Sequence, residues 1–235
     1  MRKLIIPTAL AAVLFAPGVF AQATGDAYRP DLQVGQGNWF AAGAIGRTDG
    51  GSASTFGSGD FNLFRSADGR RTGYGVAAGY RWKVAPNVGV GMEGGYTDLG
   101  NLKVSNVFDG DPVNERQSEN ALRGWHVGGN ARFNPTQAWY IGARGGYFRA
   151  SDNNARYYNS VGQELGLVSG GSDGRDSWYG GLGTGWNVSS NLSVGVHYDY
   201  FRAKAGELRD PDTGIEFTGP KRSTALLSAT VEYAF

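Results

Sequence analysis

The sequence predicts an all-β chain, an eight-stranded antiparallel up-and-down transmembrane β-barrel, and three observations predict it. Segments of about ten residues alternate apolar and polar with period two. Short and long connections between them strictly alternate. Composition combines 39 Gly with 12 Tyr, 12 Phe and 6 Trp in 235 residues. Glycine at more than twice the usual ~7% often marks disorder, but disordered chains are poor in aromatics. Small residues on a crowded inner face and aromatic girdles outside account for both.

The first residues read as an export signal. Arg2 and Lys3 are followed by the apolar run Leu4–Phe15 and a small-x-small pattern at Ala21-Gln22-Ala23. Pro7 and Pro17 interrupt the run, which is short of the ~20 residues a spanning helix needs. Cleavage after Ala23 is expected, with residues 1–23 removed and 24–37 forming a periplasmic N-terminal segment. The barrel is expected over 38–235.

Three hairpins are clearest. Tyr74, Val76, Ala78, Tyr80 and Trp82 share one face, and Val84-Ala85-Pro86-Asn87 turns into Val88, Val90, Met92, Gly94 and Tyr96. Trp125, Val127, Gly129, Ala131 and Phe133 turn at Asn134-Pro135-Thr136-Gln137 into Trp139, Ile141, Ala143, Gly145 and Tyr147. Trp178, Gly180, Leu182, Thr184, Trp186 and Val188 turn at Ser189-Ser190-Asn191 into Leu192, Val194, Val196, Tyr198 and Tyr200. The last strand places Ala225, Leu227, Ala229, Val231, Tyr233 and Phe235 outward. The first, Asn38–Thr48, is ambiguous: Trp39/Gly43/Ile45 and Phe40/Ala42/Ala44 both suit an outer face.

The long connections are 49–70, 98–120, 150–176 and 203–221. Tight turns on the periplasmic side and long loops outside are the pattern of outer-membrane barrels. Without Cys, a disulfide framework or thiolate metal site is excluded. Removing the signal leaves 20 basic and 21 acidic residues, unlike a nucleic-acid-binding surface.

The segments GYTDLG (Gly95–Gly100), ARGGYFRAS (Ala143–Ser151) and WYGGLGTGWNVSSNLSVGVHYDYFR (Trp178–Arg202) resemble the OmpA-like family of eight-stranded outer-membrane barrels. The resemblance spans Asn38 to Phe235, in the form without a periplasmic peptidoglycan-binding domain. It implies outer-membrane localisation; a role in tying that membrane to peptidoglycan is not carried over. The terminal VEYAF is similar to the family's assembly signal, which implies recognition of Val231, Tyr233 and Phe235 by the barrel-assembly machinery.

Inward alternation collects Arg81, Lys83, Glu93, His126, Arg132, Arg144, His197, Asp199 and Glu232. Eight strands leave an interior that side chains can fill, and buried charges must pair. A salt-bridged plug is therefore expected, with a narrow channel for ions or small solutes as the alternative. A Ser-His-Asp site would need a serine beside a histidine. Lipid A deacylases, which resemble this chain in size, set their Ser and His two apart on a strand. Gly124 and Gly128 flank His126 at that spacing, and Gly195 and Asp199 flank His197, so no catalytic residue is assigned. Asp210–Glu216 lacks the spacing of a calcium loop and reads as a turn. Glycine-rich GxGxxG-like matches lie inside strands, where they carry no phosphate-binding meaning. No metal or cofactor is expected.

Arg47, Arg71, Arg123, Arg149, Arg202 and Arg222 fall at the external strand ends, while the long loops carry 16 acidic and 9 basic residues. An arginine fork suits phosphate, and the outer leaflet is lipopolysaccharide, so this rim is a candidate lipopolysaccharide contact. Snorkelling at an interface is the plain alternative. The function expected is a non-enzymatic barrel serving envelope integrity or binding an external ligand through its loops.

Overall fold

The computed structural model describes residues 27–49, 52–53, 71–105, 117–150, 166, 168–171, 177–204, 207–217 and 221–235. The expected signal peptide lies outside them. The barrel strands are β1 (Gly37–Thr48), β3 (Thr72–Ala85), β4 (Val88–Ser105), β5 (Gln117–Phe133), β6 (Trp139–Ala150), β8 (Trp178–Asn187), β9 (Leu192–Lys204) and β12 (Lys221–Ala234). Each pairs antiparallel with the next, and β1 pairs with β12 from Phe40↔Ala234 to Thr48↔Leu226. That last pairing closes the sheet and leaves these eight strands no free edge.

Among the described residues, four short strands lie in the external connections: β2 (Ser52–Ala53), β7 (Val168–Gly171), β10 (Glu207–Arg209) and β11 (Glu216–Phe217). β2 adds to the outer end of β12, and β11-β10-β7 form a separate small sheet joining two of the long connections. The expected loop boundaries at 98–120 are too wide. Residues 98–105 and 117–120 are strand, paired from Asn101↔Ala121 to Ser105↔Gln117. A register shift between Asp98 and Asn101 precedes this extension, with Gly100 at φ +75° and its amide donating to Asp98 Oδ1 at 2.8 Å. On β5 the extension Gln117–Asn120 is entirely polar, and on β4 the register shift breaks the parity before Leu102 and Val104 resume the alternation. The expected loop 203–221 likewise surrenders both ends to β9 and β12 through Lys221↔Lys204.

Alternation elsewhere follows the sequence. Trp39, Val76, Met92, Trp125, Val127, Trp186, Tyr198 and Leu227 are exposed on the outer wall. Ala225 departs from it: it is 1% exposed, where Asp49 exchanges bonds with its backbone. The ambiguous first strand turns Trp39, Ala41, Gly43 and Ile45 outward. Phe40 goes inward because Arg81 seats its guanidinium 4.4 Å from the ring centroid, while Trp39 meets Tyr80 edge-on outside.

Interior glycines lie beside the largest inward side chains. A Cβ at Gly183 would fall within 2.6 Å of His197 Cγ, and one at Gly89 within 2.7 Å of the Tyr28 ring. Both contacts are too short for any side chain, so glycine on one strand makes room for the ring packed over it.

Candidate functional site

Two ion clusters of opposite net charge occupy the lumen. On the periplasmic side, Glu232 of β12 accepts from Arg81 Nη1 at 2.9 Å and Nη2 at 3.0 Å, and from Arg132 Nη1 at 2.7 Å. The remaining donors of these arginines are also bonded: Arg81 Nε to Asn130 Oδ1 at 2.8 Å, and Arg132 to Asn134, Ser193 and Asn187. Arg132 also lies 3.8 Å from the Tyr140 ring centroid. Further along the lumen, Arg144 Nε and Nη2 bond Asp199 at 2.7 and 2.6 Å, and Arg144 Nη1 lies 3.9 Å from Glu93. Tyr179 donates to Glu93 at 3.0 Å. Two guanidiniums share one carboxylate in the first cluster, and two carboxylates share one guanidinium in the second. Buried charge of this kind requires such pairing.

Lys83, grouped with the ion network by its alternation, is fully buried and donates to the carbonyl oxygens of Arg29 and Leu32 at 2.9 and 2.7 Å. It reaches past the end of the barrel to the chain preceding β1. The described part of that segment, residues 27–36, docks against the barrel end. Tyr28 is 3% exposed, its amide donates to Pro86 O, and Gly35 and Gln36 exchange backbone bonds with Lys83. Burial raises the Tyr28 phenol above its ordinary range, and the nearby Arg81 opposes that shift.

His126 and His197 line an internal cavity of about 50 Å³ together with Asn130. His126 Nδ1 lies 3.4 Å from Thr97 Oγ1, whereas His126 Nε2, His197 Nδ1 and Asn130 Nδ2 have no protein partner. Of these four nitrogens one meets a protein group, and water is the natural occupant of a polar space this size. Above the acidic cluster lies an apolar layer that the charge pattern did not announce: Leu99, Leu122, Phe148, Tyr179, Phe201, Ala203 and Leu226. Its signal in the sequence is apolar residues on the inward alternation, all close to external strand ends.

The rim arginines divide. Arg47 and Arg149 are exposed on the outward alternation, and Arg149 stands opposite Trp125. Arg123 stands opposite Asp98, which also accepts from Tyr74 at 3.2 Å, and Arg202 stands opposite Trp178. Arg71 precedes β3 at a position continuing the inward alternation of Gly73 and Gly75, with its carbonyl accepting from Thr48 N at 2.8 Å. It lies at the external strand end, as expected, on the inward parity. Arg222 pairs through its backbone with Ala203 and Ala53, and its side chain lies outside what is described. At the opposite end Val231, Tyr233 and Phe235 face outward, and Phe235 N donates to Trp39 O at 2.9 Å. The Asp210 carboxylate is held by its own turn, accepting from Asp212 N at 2.9 Å and Thr213 Oγ1 at 2.6 Å. Those bonds hold its pKa below the ordinary carboxylate value.

A closed eight-stranded wall with aromatic outer faces and a charged, filled interior is matched over residues 7–235 by the outer membrane protein beta-barrel domain family. This chain belongs to that family. Members of the family reside in the outer membrane, and the short turns accordingly face the periplasm. Similar solved structures include OprG from Pseudomonas aeruginosa, at 12% identity over 86% of this chain and 97% of the other, with a TM-score of 0.49. Neisserial surface protein A shares 20% identity over 85% and 99% of the two chains, with a TM-score of 0.39. The attachment invasion locus protein Ail of Yersinia pestis shares 15% over 86% and 100%, with a TM-score of 0.35. No curated protein matches the sequence.

Proposed function

We propose that this barrel is a sealed structural and interaction protein of the outer membrane. Its outer rim holds lipopolysaccharide, and its external connections carry any further binding. The observation behind this reading is an asymmetry. Arg47, Arg123, Arg149 and Arg202 follow the outward alternation at the external boundary. Among the described residues, the outward alternation at the periplasmic boundary carries aromatic and aliphatic side chains such as Trp39, Trp82, Val84, Trp139, Trp186, Tyr233 and Phe235. Snorkelling would act equally at both boundaries, whereas phosphate-rich lipid lies outside only. Aromatic partners opposite Arg149 and Arg202 give a lipid headgroup both a charge and an apolar shelf.

Replacing Arg47, Arg149 and Arg202 with Gln tests the reading. Co-purifying lipopolysaccharide should fall, and stability should drop in lipopolysaccharide bilayers by about 1 kcal/mol per residue while holding in neutral detergent. An equal loss in both media would show that the arginines serve other parts of the protein. The apolar layer and paired ions support a closed lumen over a narrow channel. The non-enzymatic reading is retained on the same grounds as in the sequence, since neither histidine has a serine two residues away.

A further inference from the structure

The periplasmic mouth of the barrel forms an open chamber of about 360 Å³. Its floor is the Arg81–Glu232–Arg132 cluster, its walls include the turn residues Ser189–Asn191, and its roof is the segment Ala27–Pro30. Small-molecule sites begin at about this size, ~300 Å³. We propose that this chamber binds a small hydroxylated organic anion from the periplasm.

Charge selects an anion. The side chains lining the chamber that are charged at neutral pH are Arg29, Arg81 and Arg132 against the single carboxylate of Glu232. Asp31 offsets Arg29 from outside the lining, at 2.8 Å from Nη2, and the buried ammonium of Lys83 adds a positive charge below the roof. In a recess lined by an excess of one sign of charge, the field of the guanidiniums concentrates anions.

Two unpartnered polar atoms select the rest of the ligand. Arg29 Nη1 and Nη2 are bonded to Ser190 O and Asp31, which leaves its buried Nε as a donor without a partner. Asn38, 4% exposed, donates through Nδ2 to Trp39 O and leaves Oδ1 without a donor. Orphaned buried groups of both kinds cost stability until a ligand or water meets them. An anionic oxygen on Arg29 Nε and a hydroxyl donating to Asn38 Oδ1 satisfy both at once.

Gluconate is a suitable probe, with sorbitol as its uncharged counterpart. Amide shifts of the full protein in micelles are followed as each is added at constant ionic strength. Gluconate should produce saturable shifts at Tyr28, Asn38, Ser190 and Asn191, and sorbitol should bind at least tenfold more weakly. Arg29→Gln should weaken gluconate at least fivefold. Should that change loosen the roof, Asn38→Ala removes the acceptor, together with the Nδ2 bond to Trp39 O, and leaves Arg29 in place; it should weaken gluconate to a similar degree without altering gel migration of the folded barrel. Sorbitol equal to gluconate, shifts that do not saturate or lie elsewhere, or an Asn38→Ala variant that binds as wild type would each overturn the assignment.

Discussion

Arg144 grips both oxygens of Asp199 across an intervening strand. The two residues belong to β6 and β9, and Gly181 of β8 pairs with each of them. Nε–Oδ1 and Nη2–Oδ2 are 2.7 and 2.6 Å, and Asp199 is fully buried. The bridge exists because the strand between carries no side chain there: a Cβ at Gly181 would fall 2.8 Å from Asp199 Cγ.

Gly181→Ala is therefore expected to push the carboxylate off Arg144 and cost about 3 kcal/mol, the lower range for breaking a buried ion pair. Urea midpoints for refolding into micelles measure it. A wild-type midpoint would mean that Asp199 has another place to go.

Glu232 is the one carboxylate that Arg81 and Arg132 share, so Glu232→Gln should leave the two arginines facing each other with no carboxylate between them. A loss of about 3 to 5 kcal/mol is expected. Adding Arg132→Met to the variant should recover part of it, because one of the two orphaned charges is then gone. Failure of the second change to help would point to Tyr140 and Asn187 as the groups holding Arg132.

Phe148 and Phe201 meet edge-on at 5.1 Å between ring centroids inside the apolar layer, and both are buried to 1% or less. Phe201→Ala should destabilise the barrel by about 3 kcal/mol. Planar-bilayer recordings of the double variant Phe148→Ser/Phe201→Ser should show more open-state current than wild type, which is expected to be near silent. Steady conductance in the wild type would favour the channel reading instead.

The Asp210 turn carries a pH dependence. Its carboxylate accepts bonds in the folded turn that lower its pKa, so that stabilisation is present above the unfolded carboxylate value. It is lost as pH falls through the lowered folded value. Amide shifts of Asp212 and Thr213 should hold between neutral pH and pH of about 5, then move together on further acidification. Asp210→Asn should abolish that movement, and a transition persisting in this variant would assign it elsewhere.

At the other end of the molecule, the raised pKa of Tyr28 makes the docked N-terminal segment a feature of neutral solution. The favourable contribution is complete below the ordinary tyrosine value of about 10 and disappears as pH rises through the raised value. Protease access to residues 27–36 should increase above that range in wild type. In Tyr28→Phe, which keeps the ring and has nothing to ionise, access should stay flat.

Strand number, hairpin order, short turns and outward aromatics were all legible in the sequence, because a wall between lipid and lumen imposes period two on each strand independently of its neighbours. Inward membership of Arg81, Glu93, Arg144, Asp199 and Glu232 followed from the same parity. Which of them meet did not follow. Arg81 and Glu232 are 151 residues apart, and Arg144 and Asp199 are 55 apart; closure and strand stagger decide such pairings. Face assignment of β1 also waited on packing, because Phe40 and Trp39 are equally apolar and only Arg81 and Tyr80 distinguish them. Extension of β4 and β5 beyond Asp98 was hidden because a register shift breaks the parity on β4 and Gln117–Asn120 is entirely polar on β5. The N-terminal segment has no periodicity at all. Its place over the periplasmic mouth is decided by Lys83, Tyr28 and Arg29 meeting backbone and side chains that only the closed barrel brings together.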